Sequence, residues 1–174
     1  MKQFMQNIKN RITRLRLQYS KYDDGLYLFF MKDTTGVKDN VVYITSAIPQ
    51  NISLKKKNEK GEYCIMELMY LQEGITRQLN FSAEGDYVIY IPKANRITYL
   101  TLDDSTVTNP LCDFARMTSL TLLSIIDTNV YGNIDELKKL PFLNSLHISD
   151  DYIKGINSNT FKKWPHKLNM VDVV

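Results

Sequence analysis

The stretch "LSIIDTNVYGNI", Leu123 to Ile134, sets apolar Leu123 and Ile125 before a polar turn, then returns through Val130, Gly132 and Ile134. Alternating apolar positions over so short a span fit a strand with one buried face. Versions of the pattern stand 23 residues away on either side. Ile97, Leu120 and Leu143 form one column, Leu100, Leu123 and Leu146 the next, and Leu102, Ile125 and Ile148 a third. Asp104, Asp127 and Asp150 follow, then Val107, Val130 and Ile153. Gly132 and Gly155 align with Asn109, and Leu111, Phe114 and Met117 with Ile134, Leu137 and Leu140. In the third copy the last columns slip by one, to Phe161 and Trp164.

The spacing has a physical cause. In L-x-x-L-x-L the second and third apolar residues point to one side of a short strand. The V-x-G-x-I that follows lets the chain turn and come back behind it. One such coil cannot bury its apolar side alone, so copies must stack. Residues 97–165 resemble the leucine-rich repeat family, most closely bacterial variants with Ser or Thr at the turn and a V-x-G-x-I return. The family usually places Asn where this chain has Ser105, Thr128 and Asp151. All three side chains are able to hydrogen-bond backbone within the turn. The resemblance implies a stack of three to four coils, the last through Leu168, Val171 and Val173, and contact with a protein or glycan through the strand face.

Upstream, short β-type runs alternate with turn-prone breaks. They are Leu26 to Met31, Val41 to Thr45, Ile52 to Lys57, Tyr63 to Leu71, Ile75 to Phe81 and Asp86 to Ile91. Six runs at this spacing predict an antiparallel sandwich. "FSAEGDYVIYI", Phe81 to Ile91, also resembles the turn and late strand of PKD-type or immunoglobulin-like sandwiches. The lysine run Lys55–Lys57 reads as a solvated hairpin or a guarded edge strand. The fold class expected is mainly β (α+β). It comprises a basic amphipathic helix at 1–22, a sandwich-like domain at 23–93 and a repeat domain at 97–174. "PKANR" between the last two is too short for a free linker, so the sandwich is expected to cap the open end of the stack.

The net charge of +3 hides an asymmetry. Residues 1–22 carry Lys2, Lys9, Arg11, Arg14, Arg16 and Lys21 and no acid, while Phe4, Met5, Ile8, Ile12 and Leu15 form a helical stripe. Such a segment packs on its own domain, pairs with a second copy, or lies on an anionic membrane or nucleic acid. Nucleic acid is the less expected of these, and membrane contact is expected through residues 1–18 if at all. No apolar run reaches transmembrane or signal-peptide length, which by itself reads as cytoplasmic, whereas the family resemblance implies a bacterial surface. Cys64 and Cys112 lie far apart with no CxxC, so two buried free thiols are expected and no zinc site.

The outward strand positions are the expected binding face: Tyr99, Thr101, Asp103, Leu122, Ser124, Ile126, Ser145, His147 and Ser149. Leu122 and Ile126 either pack under another segment or form a partner patch. The column Asp104, Asp127 and Asp150 either caps three turns or recruits a cation. No HExxH, phosphate-loop or GxSxG pattern is present. The expectation is a non-enzymatic module with no catalytic residue, metal or cofactor. Its partner would be a protein or glycan, with self-association open. Asn51 and Asn80 begin N-x-S triplets.

Overall fold

The computed structural model describes residues 3, 6, 7, 10, 25–33, 39–149 and 151–174. Gln3, Gln6, Asn7 and Asn10 have helical backbone and are exposed. The rest of the expected helix at 1–22 lies outside the described residues, as does Asp150.

The described chain is mainly β. Its strands are β1 (Leu26–Phe30), β2 (Asp39–Ser46), β3 (Gln50–Lys57), β4 (Tyr63–Leu71), β5 (Arg77–Ser82) and β6 (Tyr87–Ile91). Then come β7 (Ile97–Thr101), β8 (Leu122–Ile125), β9 (Gly132–Asn133), β10 (Ser145–Ile148), β11 (Ile153–Lys154) and β12 (Met170–Val173). One helical turn, α1 (Leu111–Phe114), and 3-10 turns at Ala94–Arg96, Ile134–Lys139 and Phe161–Lys163 complete the elements.

Two layers enclose one core. The front layer is a six-stranded sheet ordered β12-β10-β8-β7-β2-β5. Its strands β7, β8, β10 and β12 run parallel in fixed register, with Leu100 beside Leu123, Leu123 beside Leu146, and Leu146 beside Val171. Thus residues one 23-residue period apart are neighbours across the sheet. Leu100, Leu123 and Leu146 are fully buried in the same cluster, as are Leu102, Ile125 and Ile148. The back layer is the antiparallel sheet β1-β6-β3-β4. It is extended beyond β1 by a bridge from Phe30 to Val107, a bridge from Pro110 to Tyr131, and the pair β9–β11. A continuous buried cluster runs from Leu26 and Ile44 at one end to Ile148 and Trp164 at the other.

Hydrogen bonding crosses the boundary expected between 93 and 97. β2 pairs antiparallel with β7 through Tyr43–Thr101, Ile44–Leu100 and Thr45–Tyr99. The six upstream strands therefore do not close as a sandwich of their own, because β2 and β5 join the sheet of parallel strands. β2 pairs with the edge of β7 and β5 pairs with β2, so β7 is an inner strand of the front sheet. The linker is tight, with Ala94 buried in the 3-10 turn that leads into β7.

Two buried asparagines tie the segment after β7 to the upstream strands. Asn40 accepts the Thr106 amide at 2.8 Å and the Thr106 hydroxyl at 3.1 Å. Asn109 accepts the Phe29 amide at 2.8 Å and donates to the Tyr27 carbonyl and to Asp113, both at 2.8 Å. With Thr108 N–H donating to the Phe29 carbonyl and Met31 N–H to the Thr106 carbonyl, the outer edge of β1 is sealed. Asn109 stands in the column that holds Gly132 and Gly155, where the chain meets β1.

Lys55–Lys57 lie on β3, an inner strand, so the edge reading of this run is corrected: β4 is the edge. The amine of Lys56 sits 5.4 Å from the Tyr87 ring centre, and Lys57 lies 3.8 Å from Asp86. Both cysteines are free and exposed, against the expectation of buried thiols. Cys64 falls where β4 overruns the opposite layer, and Cys112 is the outward residue of α1.

Candidate functional site

The strand phase set by the buried leucines fixes the opposite face. Tyr99, Leu122 and Ser145 form one cross-strand row and Thr101, Ser124 and His147 the next, all on the outer side of the front sheet. Asp103, Ile126 and Ser149 continue the face where the strands end. Met170 extends the first row on β12 and Asp172 the second. On the other flank, Thr45 stands beside Tyr99, and Tyr43 beside Thr101.

The polar members are tied together. Ser124 donates to the Asp103 carboxylate at 2.7 Å, and Asp103 accepts the Ile126 amide at 2.9 Å. Further along, Ser149 accepts the Asp127 amide at 2.8 Å. These bonds run between segments about one 23-residue period apart, and they leave Ser124 and Ser149 buried although the alternation places both outward. Asp103, held by Ser124, and Ser149 each satisfy an amide that the turn takes out of the ladder. Thr45 and Thr76 share a hydrogen bond of 2.8 Å at the β2–β5 flank. His147 Nδ1 lies 3.8 Å from the Asp172 carboxylate, and both side chains face outward.

The remaining surface is mixed. Tyr99, Leu122, Ile126, Ser145 and His147 are half-buried, and Tyr43 is exposed. Tyr43, Thr45, Met170 and Asp172 were missed by sequence reasoning, because alternation within a strand does not say which strand lies alongside. Six strands at about 4.8 Å spacing make a face roughly 24 Å wide, wider than the three or four coils alone. At about five residues per strand this is on the order of 400 Å², half of the roughly 800 Å² a standard interface takes per partner.

The aspartate column has a backbone explanation. Asp104 and Asp127 have φ of 51° and 50°, the left-handed region. Asp and Asn enter it more readily than other non-glycine residues. The turn is completed by Ser105 Oγ donating to the Leu102 carbonyl at 2.5 Å and Thr128 Oγ1 donating to the Ile125 carbonyl at 3.3 Å. Asp104 and Asp127 are exposed. Among the described residues no three His, Cys, Asp or Glu side chains converge as metal ligands. His166 lies in the turn after Trp164–Pro165 and bonds the Leu143 carbonyl. Asn51 and Asn80 are exposed on β3 and β5. No described helix is long and apolar enough to cross a membrane.

A polar cleft of about 290 Å³ opens between Asp135, Lys138, Asn157, Thr160 and Lys163. Lys138 is paired with Asp135 at 2.6 Å, and Thr160 donates to the Gly155 carbonyl at 2.8 Å. The chain matches no protein-family model, no curated protein and no solved structure.

Proposed function

We propose that this chain is a non-enzymatic interaction module of the leucine-rich-repeat kind, in which upstream strands cap a short stack of coils. Its ligand, a protein or glycan, engages the outer face of the front sheet through Tyr43, Tyr99, Leu122, Ile126, Ser145 and His147. The observation that carries the reading is the register of Leu100, Leu123 and Leu146, with residues one 23-residue period apart side by side in one sheet. Exposed Tyr43 and half-buried Tyr99, beside Ser, Thr and His, supply stacking surface and hydrogen bonds on one face, a combination that suits both ligand classes. The face alone is small, so binding is expected to be weak unless the ligand also touches a neighbouring rim.

The test is a comparison of captured partners from the native source using the wild type and Ile126→Asp. A specific partner held by the wild type and lost by Ile126→Asp supports the reading. Equal capture by both would count against it. A second reading rests on the six basic residues of 1–22, which would draw the chain to an anionic membrane or nucleic acid. Removal of residues 1–18 separates the two. Face-directed binding survives the truncation, whereas salt-sensitive binding to anionic vesicles or DNA disappears with it.

A further inference from the structure

We propose that two copies of this chain pair through β4, antiparallel and about a two-fold axis lying between Met66 and Glu67. Among the described residues β4 is the last strand of the back sheet. Four of its apolar side chains are largely in solvent: Ile65 at 61%, Met66 at 57%, Leu68 at 69% and Tyr70 at 57%. Between Tyr63 and Leu71 the only charge is Glu67, with no Lys, Arg or Pro. A long apolar edge of this sort invites another strand unless something blunts it. Two other edges of the same molecule show what blunting looks like, whereas the four-residue β12 is less than half the length of β4. β1 is sealed by Asn109 and Thr108, and β5 exposes Arg77, Gln78 and Asn80.

The occupant follows from the register. The pairing of β3 with β4 slips between Leu54 and Lys55, so that Leu54 faces Glu67 and Lys55 faces Ile65. The extra residue, Met66, changes the phase of the strand and brings Ile65 and Leu68 onto the same outer side. In an ordinary strand residues three apart would point oppositely. Antiparallel pairing about the point between Met66 and Glu67 then sets Ile65 opposite Leu68 of the second copy, twice. It also sets Glu67 opposite Met66 of the second copy, so no like charges oppose each other. A two-fold contact needs a patch that complements itself, and the bulge provides it. The four side chains offer roughly 450 Å² of surface, to which the strand backbone adds, against about 800 Å² per partner in a standard interface. A reversible dimer of roughly micromolar affinity is therefore expected, with the two back sheets joined into one.

Sedimentation of the full chain over roughly 1–100 µM tests this. The expected result is a concentration-dependent monomer–dimer equilibrium whose dissociation constant rises at least about tenfold in Leu68→Lys. Leu68 is exposed, and an unchanged circular dichroism spectrum confirms that the variant folds. In a Cys64→Ser, Cys112→Ser background, Ile65→Cys with Leu68→Cys should give a disulfide-linked dimer on mild oxidation, and Gln78→Cys on the β5 edge should not. A monomer at every concentration, a dimer indifferent to Leu68→Lys, or cross-linking at Gln78→Cys but not at β4 would each overturn the proposal.

Discussion

The carboxamide oxygen of Asn109 accepts the backbone amide of Phe29 at 2.8 Å, across 80 residues of sequence. Its nitrogen returns to the Tyr27 carbonyl, so one buried side chain stands in for a strand along the edge of β1. Asn109→Ala would orphan both groups. Each buried unpaired group costs about 1–3 kcal/mol, so a loss of several kcal/mol is expected in chemical denaturation. Asn109→Gly, which restores the residue type of the column, should be no better. A loss under about 0.5 kcal/mol would mean the edge is sealed some other way.

Asp127 separates a backbone role from a charge role. Its φ of 50° predicts that Asp127→Asn is near neutral and that Asp127→Gly is tolerated. Asp127→Ala should cost about 1–2 kcal/mol, the steric penalty of the left-handed region. Millimolar calcium should leave the melting temperature of the wild type unchanged. A calcium-dependent rise, lost in Asp127→Asn, would restore a cation to the column.

Ser124 lies on the outer face by alternation, yet it is buried by its bond to Asp103. Ser124→Ala should cost about 1–2 kcal/mol, since a hydrogen bond to a charged acceptor is lost. Ser145→Ala on the next strand, half-exposed with a bond only to its neighbour Asn144, should change stability by under about 0.5 kcal/mol. Equal losses at the two serines would show that the Asp103 link does not hold the coils together.

Cys64 and Cys112 are exposed, so the folded chain should present two thiols to a colorimetric thiol reagent without denaturant. Titration of two equivalents only after unfolding would place both side chains inside.

Much of the fold is legible in the residues. Turn-rich breaks such as AIPQN and NEKGE bound the upstream strands, and alternation marks their buried sides. The columns headed by Leu100, Leu123 and Leu146 report neighbours directly, because a repeat places equivalent residues side by side. Partnership between non-repeated strands is different. Nothing in DNVVYITS says that it lies against ITYLT, since periodicity reports the face of a strand and not its neighbour. For the same reason the face gained Tyr43 and Asp172 only when pairing was known. The buried state of Ser124 and the sealing role of Asn109 depend on single long-range bonds, which leave no pattern. Cys64 was misjudged because free cysteine usually packs as a small hydrophobe, whereas β4 here overruns the layer that would have covered it.

The account depends on side chains one coil apart sharing an interior. A double-mutant cycle on Leu123→Ala and Leu146→Ala, read by urea denaturation, tests this most directly. Each single change should cost about 2–5 kcal/mol, and the pair should depart from additivity by about 0.5–3 kcal/mol. Strictly additive losses would contradict it, because two leucines that do not touch have no reason to couple.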